Sequence, residues 1–257
     1  MLLNTAPIAP MFVAQARTEF LRLIRIPAFT ITSLALPIMF YALFGLPHAH
    51  EELMDTSVGL YSLASFSAYS VLTIVLFSFG ASVAAERGTG ATRLMRAAPL
   101  RPMAYFGGKI VASMSFGAIA MLLLVAFAVA TGGARPTAIM VITLLVRMLL
   151  GSIAFTILGF AVGYLSSINS AIGILNLINL PLSFASGLFV PLPELPPFVQ
   201  HIAPYLPAYH YGQLAWGAVG VAQESWTTAA IWLTGYAVVF LLIALRAYGR
   251  DERKEFT

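Results

Sequence analysis

Charged residues are scarce in this chain: Asp, Glu, Lys and Arg make up 9% of its 257 residues, against about 25% in soluble proteins. Hydrophobic residues make up 60%, against about 45–50% in soluble domains. A soluble domain of this size needs more polar surface than such a composition supplies, and a disordered chain is more polar still. Both classes are therefore excluded, and the composition indicates an integral membrane protein.

Cysteine is absent, which excludes disulfides, thiolate metal sites and cysteine nucleophiles. The N-terminal residues MLLNTAPIAPMF lack the basic start and cleavage site of a secretory signal peptide, so we expect this segment to be retained. The pattern of a phosphate-binding loop, G-x-x-x-x-G-K-[ST], is also missing. Gly108-Lys109 could supply its G-K pair, but Met103 stands at the first glycine position and Ile110 at the Ser or Thr position. We therefore expect any ATP chemistry to come from another polypeptide; that this chain binds no cofactor and is no enzyme is an expectation that rests on the resemblance described below.

Long uncharged runs dominate the chain instead. A helix needs about 20 apolar residues to cross a bilayer, and the absence of strict alternation favours helices over a barrel. The uncharged stretch 195–223 contains Pro196, Pro197, Pro204 and Pro207, which exclude a continuous helix. The sequence thus predicts an all-α integral membrane protein with six transmembrane helices. The predicted spans are 27–46, 58–84, 110–131, 137–165, 171–190 and 226–246.

The cations are distributed unevenly about these spans. One side of the membrane receives 12 of the 14 Lys and Arg residues, and the opposite side receives Arg135. Five acidic residues share the side of Arg135, namely Glu51, Glu52, Asp55, Glu194 and Glu224. By the positive-inside rule, both termini and the loop after the second span are cytoplasmic. The net charge of +4 therefore reports topology, and we expect no nucleic-acid partner.

Two basic segments lie on the predicted cytoplasmic side. As a helix, 11–25 has one polar and one apolar face, which predicts an interfacial helix on the membrane or a basic flank that only fixes topology. The loop 86–109 is longer than a connection requires, and Pro99 and Pro102 would end a short basic helix within it. Such a helix suits docking onto another protein or binding to anionic membrane lipids.

The segment 191–216 is rich in proline and aromatic residues and carries one charge, Glu194. It is too apolar for a free loop and too interrupted for a span. We predict a pair of short external re-entrant or interfacial helices around 195–203 and 209–217. Aromatic side chains of this segment are expected at the depth of the lipid headgroups. They are Tyr205, Tyr209, Tyr211 and Trp216.

Two stretches resemble motifs of the permease subunit of type-2 ABC exporters, a family that includes bacterial drug, lipid and polysaccharide export permeases. Residues 86–101 are similar to E-x-x-x-G-T-x-x-x-L-x-x-x-P-L-x-R, although Gly88-Thr89 follows Glu86 more closely than in that pattern. The matching positions are Glu86, Leu94, Pro99, Leu100 and Arg101. Residues 186–207 are similar to S-G-x-F-x-P-x-x-x-L-P-x-x-x-x-x-x-x-x-L-P. The matching positions are Ser186, Gly187, Phe189, Pro191, Leu195, Pro196, Leu206 and Pro207.

The resemblance implies one permease domain over 1–257, in the bacterial inner membrane. It implies that 86–98 contains a coupling helix seated in a separate ATPase subunit, which binds the ATP and Mg, and that 11–25 is the connecting helix beside it. Two permease copies would meet around a central path that 191–216 closes externally. The expected coupling residues are Glu86, Arg87, Arg93, Leu94, Met95 and Arg96. The expected external gate consists of Phe189, Pro191, Leu195 and Pro196.

A substrate path is predicted from polar and aromatic residues within the spans. Amides in lipid are costly, so those of the fifth span should face the protein interior, for hydrogen bonding or for lining the path. An arginine within the fourth span either has a function or snorkels outward. The predicted path residues are Phe40, Tyr41, Phe44, Arg147, Asn176 and Asn179. Gly159 and Gly163 form a GxxxG pattern that predicts close helix packing.

The expected function is ATP-driven export of a lipid-like or amphipathic drug-like substrate, and the alternative is export of a polysaccharide or glycolipid. Two rivals belong to other classes. An intramembrane serine protease could use Ser186 with His201 or His210, but Phe184 stands where the G-x-S-G pattern requires glycine. A secondary transporter would usually carry carboxylates for ion coupling inside its spans, and the predicted spans contain none. The nearby His48, His50, Glu51 and Glu52 fit a solvated polar loop better than a metal site.

Overall fold

The computed structural model describes residues 8–90 and 102–255, with side chains for 9–90 and 103–250. Six helical stretches within these ranges are long and apolar enough to cross a membrane. They are Pro27–Gly45, Val58–Gly88, Met103–Ala130, Ala138–Leu165, Ile168–Ala185 and Trp226–Arg250. The structure confirms the predicted all-α fold class with six spans.

The first half of the chain contains one amphipathic helix and two of the spans. Its helices are α1 (Ile8–Ile24), α2 (Pro27–Phe40) and α3 (Val58–Gly88). A π-helical turn, Tyr41–Gly45, extends α2, and a two-stranded antiparallel hairpin of β1 (Glu52–Leu53) and β2 (Thr56–Ser57) leads into α3. The Ser57 hydroxyl caps α3 by accepting from the Leu60 backbone N–H at 3.3 Å, which starts the helix where the uncharged run begins.

The second half contains the other four spans and the segment before the last of them. Its helices are α4 (Pro102–Ala130), α5 (Ala138–Gly151), α6 (Ile153–Leu165), α7 (Ile168–Ala185), α8 (Pro197–Ile202), α9 (Pro207–Trp216) and α10 (Trp226–Glu255). The short helices α8 and α9 fall in the segment predicted to hold two short helices. Single 3₁₀ turns at Leu192–Glu194 and Ala203–Tyr205 complete this segment.

Several boundaries differ from the prediction, including the start of the third span, which begins at Pro102 and not at 110, and three of the differences concern the second, fourth and fifth spans. The second span continues to Gly88, so residues 86–88 belong to α3 and not to a separate coupling helix. The fourth span is divided at Ser152, whose hydroxyl donates to the Leu149 carbonyl at 2.8 Å. The fifth span ends at Ala185 rather than at 190, because Gly187 adopts φ 82°, a left-handed conformation that ends helices.

Helix α3 lies at the centre of the bundle and packs against α2, α4, α6, α7 and α9. Its contact with α6 is close, as the GxxxG pattern predicts. A Cβ atom at Gly159 would stand 2.6 Å from the Leu76 carbonyl oxygen, and one at Gly163 would stand 2.8 Å from the Val83 Cβ. Larger residues at either glycine would therefore push the central helix away from α6.

Helix α1 packs lengthwise on the first half of α4. A Cβ atom at Gly107 would lie 2.7 Å from the Phe12 ring, and the rings of Phe20 and Phe116 meet edge to face at 6.3 Å. The apolar face that was predicted to rest on lipid is thus covered largely by another helix. Helix α1 therefore packs along the bundle, while Val13 and Ile24 remain exposed, and its position at the membrane surface stays a prediction.

The two ends of the bundle differ in charge. We call one the basic end: it contains α1, the C-terminus of α3, the N-terminus of α4 and the end of α10 near Arg246 and Arg250. We call the other the acidic end: it contains 46–57, 131–137 and 186–225. The five acidic residues of the predicted external side all lie there.

Candidate functional site

Five polar side chains meet at the basic end, and we call them the basic-end cluster: Glu19, Arg22, Glu86, Tyr105 and Lys109. Lys109 Nζ lies 2.9 Å from Glu19 Oε1 and 2.7 Å from Glu86 Oε1. The Arg22 guanidinium and the Tyr105 hydroxyl both donate to the Glu86 carboxylate. Lys109 is 2% exposed and Glu86 is 6% exposed, so the pairs are held largely out of water. Such burial is tolerable because each charge faces an opposite one.

The basic-end cluster joins three helices at one place. Glu19 and Arg22 come from α1, Glu86 from the last turn of α3, and Tyr105 and Lys109 from the first turns of α4. Helices α3 and α4 are the two that flank the segment 91–101. The two helices that flank this segment are therefore joined to each other and to α1 through short, charged contacts.

The predicted coupling residues have different surroundings. Glu86 belongs to the basic-end cluster, whereas Arg87 donates to the carbonyls of Gly163 at 2.9 Å and Ser166 at 3.2 Å, at the end of α6. Arg87 also lies over the Tyr164 ring, 5.3 Å from its centroid. Arg93, Leu94, Met95 and Arg96 lie outside the described residues. The end of α3 is thus tied to α4 on one side and to α6 on the other.

A groove of about 520 Å³, which we call the lateral groove, lies between α1, α2, α3 and α7. Its walls are mostly apolar, with Leu36, Phe29 and Phe77 among them, while Glu19 and Arg22 of the basic-end cluster close one end. The groove is therefore amphipathic along its length. One end is ionic and the walls are hydrocarbon and aromatic.

Both predicted amides of the fifth span line the lateral groove. Asn179 is buried, and its side-chain N–H donates to the Thr73 hydroxyl at 3.1 Å, while its Oδ1 has no hydrogen-bond partner among the described residues. Asn176, one turn away, is exposed. Asn179 therefore links α7 to α3, and Asn176 presents its amide to the open groove.

An aromatic cluster lies between the lateral groove and the acidic end. Phe189 is its centre: its ring stacks on Phe184 at 4.3 Å and meets Tyr69 at 4.8 Å and Phe40 at 5.0 Å. Tyr69 lines the lateral groove, and Phe189 lines a second cavity of about 360 Å³ at the acidic end, which we call the end cavity. The two cavities are thus separated by packed aromatic rings.

The other predicted path and gate residues are distributed as follows. Phe44 and Pro191 line the end cavity, and Leu195 and Pro196 do not. Tyr41 is fully buried and its ring packs against Phe127, so it lines neither cavity. The prediction for Tyr41 is corrected because the first residue of the π-helical turn faces α4, away from Phe40 and Phe44.

Arg147 also lies away from both cavities. Its guanidinium donates to the Leu214 carbonyl at 3.3 Å and stands beside Gly217, where a Cβ atom would lie 2.6 Å from an arginine nitrogen. Arg147 therefore joins α9 to α5 and lines neither the lateral groove nor the end cavity, and its role in a substrate path stays a prediction. The carbonyls at the end of α9 supply the partner that an arginine at this depth requires.

The aromatic residues of α9 are packed inside the protein. Trp216 stacks on Tyr61 at 5.5 Å and donates its indole N–H to the Ser65 hydroxyl at 2.8 Å. The Tyr211 hydroxyl donates to the Met148 carbonyl at 2.9 Å, and burial raises the pKa of this phenol well above its usual value, so it stays a donor. Tyr209, Tyr211 and Trp216 are buried within the protein, while Tyr205 is exposed. Their position at headgroup depth stays a prediction.

The geometry also bears on the protease alternative. His210 Nδ1 lies 2.8 Å from a Glu224 carboxylate oxygen, and the imidazole stacks on Trp232. The Ser186 hydroxyl is buried and has no hydrogen-bond partner among the described residues. A serine without a neighbouring base has no activated nucleophile.

Sequence reasoning missed most of the basic-end cluster, although it named Glu86. The available signal was the position of Glu86 and Lys109 at or beside the predicted ends of two spans, where a charge requires a partner. Glu19 gave a second signal, as an acidic residue in an otherwise basic helix.

A helical bundle with six candidate spans, a lateral groove and charged ends of opposite sign defines a multi-pass membrane protein of the transporter class. Residues 52–246 match the sequence profile of the ABC-2 family transporter protein, and this chain belongs to that family. A Bacillus subtilis (strain 168) protein named "Putative transport permease YvfS" is 24% identical over 236 residues, which cover 90% of this chain and 94% of that protein. The recognition of a type-2 ABC permease from sequence motifs is thereby confirmed.

Proposed function

We propose that this chain is the membrane-spanning subunit of an ATP-driven exporter whose ATP is hydrolysed by a separate subunit. The observation that carries the proposal is the basic-end cluster, in a chain of the ABC-2 transporter family. The cluster links both helices that flank 91–101 to α1 and to the central helix. Force applied to that segment by an ATPase would reach the walls of the lateral groove through α3.

The orientation in this proposal follows the distribution of charge. The basic end faces the cytoplasm, in accordance with the positive-inside rule, and the acidic end faces outward. An ATPase in the cytoplasm would then contact the basic end. The membrane in question is the bacterial inner membrane.

The substrate in this proposal is a lipid-like or amphipathic drug-like molecule. Most of the exposed surface of the lateral groove is apolar. Its polar side chains include Glu19 and Arg22 at one end, the amides of α7 and the hydroxyls of Thr32, Ser33, Thr73, Ser78 and Ser82. An amphiphile could place its apolar part against these walls and its polar group near the amides. A polysaccharide is polar along its whole length and suits a mostly apolar surface less well.

Two copies of the chain form the membrane part of the proposed complex. The groove is open on one side between α2 and α7, and both helices leave most of their surface uncovered within one copy. Two-fold pairing is the commonest way to cover such faces. We expect the purified complex to contain two permease and two ATPase chains by native mass spectrometry. A mass with one permease chain per ATPase pair would contradict this arrangement.

The coupling role of 86–98 is tested at Leu94 and Met95. We expect the double variant Leu94→Asp/Met95→Asp to insert normally but to lose ATPase binding or coupled export, because two carboxylates buried in a docking surface are costly. The measurements are co-purification with the ATPase and substrate-stimulated ATP hydrolysis. Gly249→Asp is the control, since it adds a carboxylate at the basic end where a side chain meets no other atom within 4 Å. Wild-type values for the double variant would contradict the coupling role.

A further inference from the structure

The end cavity contains two carboxylates that the proposed function has not used. It is bounded by the loop before α3, the start of α3 and the segment 188–194. Glu51 and Glu194 line it from distant parts of the sequence. Neither carboxylate forms an ion pair with Lys, Arg or His in the described part of the chain. The described lining contains His48 but no Lys or Arg, and both carboxylates are exposed.

The remaining wall of the end cavity is aromatic. Phe44, Tyr61, Phe66 and Phe189 line it together with the two carboxylates. The faces of aromatic rings carry negative charge density and attract cations, most strongly where water is partly excluded. The aromatic rings and the carboxylates therefore both favour a ligand with a positive charge.

A polar group on the floor of the end cavity is also without a partner. Ser62 is 8% exposed, lines the cavity and makes no side-chain hydrogen bond among those of the described residues. The hydroxyl oxygen itself is not fully buried, so a ligand atom or water in the cavity can complete its hydrogen bonding. This observation is independent of the two carboxylates.

We propose that the end cavity binds an organic cation, an amine or quaternary ammonium or phosphonium group attached to an apolar body. The inference deepens the proposed export function, on which it rests, by assigning the substrate a positive charge at the outward end of its route. An anionic lipid in this cavity would be repelled by the two carboxylates. A neutral lipid would offer the carboxylates no positive charge. A metal ion fits poorly, because the described residues include no cluster of three or more His, Cys, Asp or Glu with suitable geometry.

Binding to the chain alone provides the test. The protein is placed in nanodiscs of phosphatidylcholine, and binding of tetraphenylphosphonium is measured by equilibrium dialysis. Tetraphenylborate, an ion of the same shape and opposite charge, is the comparison ligand. We expect saturable binding of the cation and only unsaturable partitioning of the anion into lipid.

Variants locate the site. Glu51→Gln/Glu194→Gln should weaken binding of tetraphenylphosphonium by about tenfold or more, given the strength of cation–π and ionic contacts at partly exposed sites. Glu52→Gln is the matched control: it removes one neighbouring charge from a residue that does not line the cavity, and it should leave binding unchanged. Phe44→Leu should weaken binding without changing the net charge, because the Phe44 ring lines the cavity and is 54% exposed.

Two results would overturn the inference: saturable binding of the anion as tight as that of the cation, or equal cation binding by the double Gln variant and wild type. Neither measurement requires an ATPase. If the chain co-purifies with an ATPase but binds no organic cation, the cation site is wrong and the exporter subunit stands. If it binds the cation but couples to no ATPase, the proposed function fails separately.

Discussion

Replacing Lys109 with methionine should strongly destabilise the protein. Lys109 faces both Glu19 and Glu86 while being almost completely buried. Its loss would leave two carboxylates beside each other, with Arg22 as their remaining cation. Removing one partner from a buried ion pair costs about 3–5 kcal/mol, a large part of the stability of a typical protein. The measurement is the fraction of monodisperse protein in detergent after heating over a temperature series.

A second substitution separates charge from packing. Lys109→Met combined with Glu86→Gln removes one cation and one anion, so the double variant should recover part of the stability lost in Lys109→Met. Lys254→Met is the control, because it removes the only other lysine of the chain, near the end of α10. Equal thermal stability of Lys109→Met and Lys254→Met would show that the basic-end cluster does not hold the three helices together.

Filling the lateral groove should abolish transport without unfolding the protein. Asn176 is exposed in α7 and lines the groove, so Asn176→Trp places a large ring in the space that the proposed substrate occupies. We expect ATP-dependent export from proteoliposomes to fall to the level of a complex with an inactive ATPase. Chain abundance and thermal stability should stay near those of wild type, because no buried contact is removed.

The neighbouring residue provides the matched control for the groove. Leu177 is 73% exposed on the same helix and does not line the groove. Leu177→Trp adds the same ring on a different face and should retain export. If both variants transport normally, the substrate does not pass through the lateral groove. If Asn176→Trp and Leu177→Trp lose transport to the same extent, the loss comes from a change to α7 that does not depend on the groove. That result would also contradict the groove as the substrate site.

The number and approximate position of the spans could be predicted because they depend on properties of single segments. An uncharged run longer than about 20 residues must satisfy its own backbone hydrogen bonds in lipid, and a helix does this locally. Ser57 ahead of α3 and the prolines ahead of α8 and α9 likewise act on their immediate neighbours. The close contact at Gly159 was predictable for a related reason. Small residues repeated at helical spacing allow another helix to approach closely, whichever helix that is.

The sequence by itself therefore determined the class of protein, the six spans and the opposite charges of the two ends. Only the tertiary structure decided which side chains meet. The basic-end cluster joins Glu19, Glu86 and Lys109 across three helices, and Trp216 reaches Ser65 across 151 positions of sequence. Tyr41 and Arg147 were assigned to a path because helical periodicity does not reveal which face of a span meets protein, lipid or cavity. That choice depends on the rotation and neighbours of each helix, and these are set by packing between segments that are far apart in the chain.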